Sequence, residues 1–265
     1  LVAPENTTPE NEYILRSNPL LDQWNYTFGV SYNRLINNGF LNIALSRNML
    51  DNSADQFEDN IENELKRTLR LRSQEIENKL RVDVNKFIKG WKFSYGIMAQ
   101  YVKFNVNLFN TIANQQLDSN GNIISPRVNI NYNSAIDFFK YGAFGQVSKR
   151  FISNRLLLSF GIRTDMNSFT TNGNNPIETL SPRFSFSYTF APKLDITGSV
   201  GRYFKIPIYT NLGFRNEFNE LVNRDMKYIQ SDHIALGFQF LPKESTRLTV
   251  EGFYKFYSNY PVSVR

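Results

Sequence analysis

The sequence contains no cysteine and a single histidine, His233. Without thiols there is no disulfide framework, no thiolate metal site and no cysteine nucleophile. No stretch approaches the roughly 18 to 20 consecutive apolar residues that a membrane-spanning helix requires, which excludes a helical membrane protein. The chain has no Gly-Ser linker to mark a domain boundary and no internal repeat beyond a strand-and-turn rhythm. Gly142-Ala143-Phe144-Gly145 is not a phosphate loop, because the Lys-Ser/Thr ending is missing. The opening LVAPENTTPENEY lacks a basic segment followed by an apolar core, so it reads as the start of a mature chain or of a fragment.

Aromatic residues, by contrast, are abundant. Twenty-three Phe and 14 Tyr help raise aromatics to 15% of 265 residues, although 20% are charged and mean hydropathy is −0.40. A polar average with this many aromatic rings suits a membrane β-barrel, where aromatic belts lie at two interfaces. The net charge is +6 and the pI about 9.4. Basic residues are spread along the chain instead of forming a compact run, so nucleic acid is not read as a partner.

Period-two alternation dominates, the mark of strands with one apolar and one polar face. Phe184, Phe186, Tyr188 and Phe190 oppose Ser185, Ser187 and Thr189. Trp24, Tyr26, Phe28, Val30 and Tyr32 form another such row, as do Leu156, Leu158, Phe160 and Ile162, and Ile234, Leu236, Phe238 and Phe240. Connections alternate in length. Tight-turn sequences occur at Asn37-Asn38-Gly39, Lys89-Gly90, Ser153-Asn154, Ala191-Pro192-Lys193 and Pro242-Lys243-Glu244-Ser245. Longer polar connections lie near 51–62, 111–135, 166–180 and 207–231. Short turns on one rim and long loops on the other are the layout of an outer-membrane barrel.

This rhythm predicts about ten strands, near 24–36, 40–50, 63–88, 90–110, 136–152, 155–168, 181–191, 193–206, 232–241 and 246–260. Two of them far exceed the roughly 9 to 11 residues that cross a bilayer and should project above it. In the longest, Leu69 and Leu71 sit on odd positions while Ile76, Leu80, Val82 and Val84 sit on even ones. A β-bulge near Ser73 to Glu75 would restore the parity. A charged amphipathic helix over about 59–82 is the competing reading. The alternation of LRVDV and the turn after it favour the strand.

Every connection reads as a hairpin to the next strand, which gives an all-β, antiparallel up-and-down meander. Such a sheet has two exposed edges unless it closes, and in hydrocarbon an unpaired edge is prohibitive. The polar faces carry Ser, Thr, Asn, Gln, Arg, Lys and Glu, a lining for water or a polar plug and not a packed core. The membrane barrel is therefore preferred to a soluble β-sandwich.

Few residues suggest chemistry. Asp232 and His233 are neighbours on a strand and should face opposite sides, so a rim histidine is preferred to an acid-base pair. Glu58, Asp59, Glu62 and Glu64 form an acidic cluster with no turn glycine, read as a solvated loop and not a calcium site. Lys66, Arg67, Arg70, Arg72, Lys79 and Arg81 could bind an acidic ligand or lipopolysaccharide phosphates, or be a solvated strand extension. Trp24 and Trp91 fit interface anchors. No residue is assigned a catalytic, cofactor-binding or metal-ligating role, no cofactor is implied, and no solute-binding residue is identified.

Three segments, YGAFGQVSKRFISNRLLLSFGIRTD (141–165), LSPRFSFSYTFAPKLDITGSVGRYFKIP (180–207) and EGFYKFYSNYPV (251–262), resemble the barrel domain of TonB-dependent outer-membrane receptors. The resemblance covers 141–265 by motif and the first half by architecture. It implies a 22-stranded barrel of which this chain, 1–265, forms an arc, in the outer membrane of a Gram-negative bacterium. It implies active uptake of a scarce solute such as an iron chelate, cobalamin, a glycan or a peptide, and no enzyme activity. The implied partners are outer-membrane lipid and lipopolysaccharide, an extracellular solute, and the TonB complex acting through an N-terminal segment missing here, with a surface lipoprotein as a further candidate. The chain departs from the family pattern in showing no plug domain, no TonB box and no terminal aromatic after Pro261-Val262-Ser263-Val264-Arg265. An internal fragment accounts for these departures. The alternative is a self-contained ten-stranded barrel acting as a surface enzyme or adhesin.

Overall fold

A computed structural model describes residues 8–10, 18–243 and 245–262. The readings made on Leu1–Thr7, Asn11–Tyr13 and Ser263–Arg265 fall outside them. Ten strands form one antiparallel sheet in chain order: β1 (Leu20–Ile36), β2 (Gly39–Phe57), β3 (Arg67–Ile88), β4 (Trp91–Ala113), β7 (Val128–Phe151), β8 (Leu156–Asn167), β9 (Ser181–Ala191), β10 (Leu194–Lys205), β11 (Ile229–Lys243) and β12 (Thr246–Ser258). A separate two-stranded hairpin, β5 (Gln116–Leu117) with β6 (Ile123–Ser125), lies in the connection between β4 and β7. The sheet is open, with β1 and β12 as its edges. A closed ten-stranded barrel would pair those two, so the self-contained alternative does not match the observed order.

Turn chemistry follows from the sequence. Lys89 (φ 50°) and Gly90 (φ 80°) supply the two positive φ values of a mirror-image hairpin turn, which matches the right-handed twist of its flanking strands. The turn after β7 is longer than its Ser153-Asn154 signal, because Ile152, Ser153 and Asn154 all take positive φ (53°, 51° and 68°). Those turns define the lower end of the sheet, and the long connections define the upper end.

Four strands are long, β2, β3, β4 and β7, with 19, 22, 23 and 24 residues respectively. In β3 no bulge occurs at Ser73 to Glu75; its pairing with β4 runs from Leu69↔Asn110 to Ile88↔Trp91 without a register shift. Parity slips because the two faces exchange character. In the lower half of β4 the odd residues Phe93, Tyr95 and Ile97 lie on a bare outer face, while Lys92, Ser94 and Gln100 lie on the inner face. Above Tyr101 the order inverts: Lys103, Asn105 and Asn107 are outer, while Val102, Phe104 and Val106 are inner and buried. Ile136 and Phe138 of β7 continue that buried inner row.

The inversion is carried by β3, β4 and β7, whose upper inner residues join one buried cluster. The outer face there carries Tyr101 and Phe139, whose rings lie 5.0 Å apart, and the Arg47 guanidinium, which donates to Tyr26 Oη and to Asn78 Oδ1, each at 2.9 Å. Further along, Arg202 pairs with Asp232 at 2.8 Å. At the lower rim Trp91 meets Phe151 edge-on at 6.3 Å, and Lys149 Nζ lies 4.5 Å from the Trp91 ring centroid. Between these two belts the outer face is apolar. Phe28, Val30, Ile97, Phe160, Phe190 and Val250 are each more than half exposed. From Trp91 to Tyr101 a strand advances roughly 34 Å, or about 26 Å of height at a tilt near 40°, the height of an outer-membrane apolar band. In the same band the Phe186 ring lies over Gly198, where a Cβ would come within 2.3 Å of it.

Candidate functional site on the inner face

Chain leaving the top of β10 turns back over the inner face. Ile206, Pro207, Tyr209 and Leu212 are buried there, the last two in the one-turn helix α1 (Tyr209–Leu212), which ends at Gly213. The sequence needs this return because the upper inner rows of β4 and β7 are apolar and would otherwise face water. Tyr209 packs against Phe104 (6.1 Å) and Phe138 (5.7 Å), and Phe169 from the β8–β9 connection packs against Phe138 (5.3 Å). Fully burying a side chain such as Leu212 contributes about 1.5–3 kcal/mol.

One polar cluster fastens this cover. The Tyr209 hydroxyl donates to Glu77 Oε1 at 2.6 Å and accepts from Lys140 Nζ at 3.0 Å. Lys79 Nζ lies 2.5 Å from Glu77 Oε2. Burial, followed by the Glu77 carboxylate, pushes the Tyr209 hydroxyl far above the usual tyrosine range. The second connection is joined to the first through Asn167, which is wholly buried. Its Oδ1 accepts from the Phe169 and Thr170 amides (2.9 and 2.8 Å), and its Nδ2 donates to Tyr228 Oη (3.0 Å). Burial pushes Tyr228 up to about 12. Gly173 closes this loop tightly, since a Cβ there would meet Asn167 O at 2.3 Å. A cavity of about 390 Å³ remains between cover and sheet, with Glu75, Glu77, Lys140, Arg163 and Tyr209 among its walls.

A second cavity, about 340 Å³, lies lower on the same face and carries Arg81, Arg163 and Arg183. Arg81 Nε lies 2.7 Å from Asp83 Oδ2 and Arg163 Nη2 lies 2.6 Å from Asp165 Oδ1. The inner face is thus polar and ionic below the cover. It can hold water and charged or hydrogen-bonding groups, and among the described residues it brings together no oriented nucleophile, base and acid.

The residues singled out in the sequence are dispersed. Asp232 faces outward to Arg202, whereas His233 faces inward, 2.7 Å from Ser231 Oγ and against the Tyr203 ring at 4.5 Å. Ser231 and His233 were not paired by sequence reasoning, although their spacing of two places them on one face. The acidic cluster is divided among separate cations: Asp59 with Lys66 (3.9 Å), Glu64 with Arg67 (2.7 Å) and Glu58 with Arg127 (4.0 Å). The basic run is split as well. Arg70 and Arg72 lie on the outer face of the projecting ribbon, and Lys79 and Arg81 on the inner face beside Glu77 and Asp83. Gly142-Ala143-Phe144-Gly145 is mid-strand in β7. Trp91 marks the lower rim and Trp24, opposite Asp51, the upper.

A meander with a bare apolar belt outside, a polar wall inside and loops folded into its mouth is an arc of an up-and-down β-barrel. Family comparison agrees: the model for "TonB dependent receptor-like, beta-barrel" matches residues 3–265. The chain belongs to the TonB-dependent receptor family. No curated protein sequence matches it. Among solved structures it is similar to the copper transporter OprC (13% identity, TM-score 0.63, covering 89% of this chain and 40% of that one). It is also similar to the ferric enterobactin receptor PfeA of Pseudomonas aeruginosa (14%, TM-score 0.63, 89% and 35%) and to the siderophore receptor PirA of Acinetobacter baumannii (16%, TM-score 0.61, 89% and 35%). The chain spans 35–40% of the length of these receptors, and at this identity the likeness is one of fold.

Proposed function

We propose that the chain is part of a single transmembrane barrel domain of an outer-membrane receptor that imports a scarce solute, and that it is not an enzyme. The observation that supports this most directly is the exchange of polarity partway along β3, β4 and β7. Apolar-out and polar-in below suits lipid on one side and an aqueous interior on the other. Polar-out and apolar-in above suits a ribbon in water whose inner side is covered by its own loops. The short turns then lie in the periplasm and the long connections outside the cell. Energy would come from the TonB complex, lipopolysaccharide would contact the outer belt, and a surface lipoprotein is a further candidate partner. Similar receptors are named for copper and for siderophores, so ferric chelates and copper are the first solutes to test, followed by cobalamin, glycans and peptides. The test is growth and radiolabelled uptake in the native host with and without the gene, and with and without TonB. Loss of uptake of one solute in both deletions is the expected result. Unchanged uptake of every solute on deletion of the gene would overturn the proposal.

A further inference from the structure

Arg183 differs from the other arginines of the lower inner cavity. Arg81 and Arg163 each have a carboxylate two residues along the same strand, whereas Arg183 makes no ion pair among the described residues, and its buried Nε has no hydrogen-bond partner. Its cross-strand neighbours are both glycines, Gly161 in β8 and Gly201 in β10, so no side chain flanks it in its own row. The adjacent row is Ser159, Ser185 and Ser199, three small hydroxyl residues in register. Together these rows form the recess of about 340 Å³, whose walls include three arginines and, among the described residues, no carboxylate.

The guanidinium is also held in place. Its Cζ lies 4.3 Å from the centroid of the Tyr203 ring. A Cβ on Gly201 would come within 3.2 Å of both Arg183 Cγ and the Tyr203 ring, so the glycine is what lets the two approach. A planar cation fixed on an aromatic face, with its fork unspent and hydroxyls beside it, is preorganised for a bidentate oxyanion. Leaving such a group unpaired in a half-buried recess is costly, which favours an occupant.

We propose that this recess is an oxyanion site in which Arg183 takes a carboxylate or similar planar or tetrahedral anion, assisted by the serine hydroxyls. The same chemistry has two sources, a small anion entering from the barrel interior or an Asp or Glu side chain from the rest of the receptor. The site does not depend on the identity of the imported solute.

The test is a crystal structure of the complete receptor soaked in bromoacetate, with anomalous scattering located for the wild type and for Arg183→Met. An anomalous peak with its carboxylate on Arg183, lost in Arg183→Met, supports a free anion as occupant. No bromine, but a carboxylate side chain of the receptor on both arms of Arg183, supports the internal source. A guanidinium that touches only water, with no bromine and no carboxylate, overturns the proposal. In the free-anion case, bromoacetate affinity should fall roughly 10- to 100-fold in Arg183→Lys, which keeps the charge and loses the fork. Equal affinity in Arg183→Lys and wild type would overturn the bidentate assignment.

Discussion

Replacing Tyr209 by Phe should loosen the cover over the inner face without removing it. The ring contacts with Phe104 and Phe138 survive, and only the hydroxyl between Glu77 and Lys140 is lost. A hydrogen bond to a charged group contributes about 1.5–3 kcal/mol. Glu77 retains Lys79 at 2.5 Å and Lys140 at 3.8 Å, so it is not orphaned, and the cost falls toward the lower part of that range. About 1.5–2 kcal/mol corresponds to a roughly 13- to 30-fold larger open population. The assay is amide hydrogen exchange of the complete receptor in detergent, read at Leu212 and Gly213, whose N–H groups bond to Ile208 O and Tyr209 O. Tyr209→Ala sets the upper limit, because losing the aromatic side chain costs about 3–5 kcal/mol. Combining Tyr209→Phe with Glu77→Gln should give an increase smaller than the product of the two single effects. If Tyr209→Phe exchanges like wild type while Tyr209→Ala is much faster, apolar packing alone holds the cover and the polar latch is refuted.

Docking of the same cover should depend on alkaline pH. Tyr209 and Tyr228 are both raised above the ordinary tyrosine value, so the neutral form is favoured when docked and docking is fully present below about pH 10. It should be lost as pH rises through about 12, the Tyr228 value, with tyrosinate absorbance at that step appearing together with faster exchange at 206–214. At the lower rim, Ile152 is a β-branched residue at φ 53°. Ile152→Asn should stabilise the protein by about 1 kcal/mol in thermal unfolding, since Asn tolerates the left-handed region; a lower melting temperature would show that the isoleucine contributes at its exposed position.

The strand order and most boundaries were legible because alternation and turn residues are local signals. Ser181–Ala191 was read to the residue from its Phe-Ser alternation, and β11 and β12 to within a few positions. The upper half was harder. Treating one apolar face as continuous made Leu69 and Leu71 look out of phase and called for a bulge. The structure keeps the register and changes what each face meets, with Leu71 packing on the cluster that includes Phe104 and Tyr209. The same signal stood in β4 and β7, where Val102, Phe104, Val106, Ile136 and Phe138 move the apolar side to even positions. Strand limits there were short for a related reason: β7 begins at Val128, within a stretch read as loop because its outer Asn residues looked like loop composition. Which loop covers that row was not legible, since the contacts between α1 and β3 join residues 132 apart, as in Tyr209 and Glu77.

The central claim, that lipid covers the outer face only up to the level of Tyr101 and Phe139, can be measured along β4. This chain has no cysteine, so with any cysteine elsewhere in the complete receptor replaced by serine, single cysteines can be placed from position 91 to 107, spin-labelled and compared for oxygen and water-soluble relaxant access in bilayers. The account predicts strong oxygen access at 93, 95, 97 and 99, and a switch to water-soluble relaxant at 103, 105 and 107, with buried labels at 102, 104 and 106. Oxygen access that continues unchanged through 103 to 107, or that is absent from 93 to 99, would contradict it.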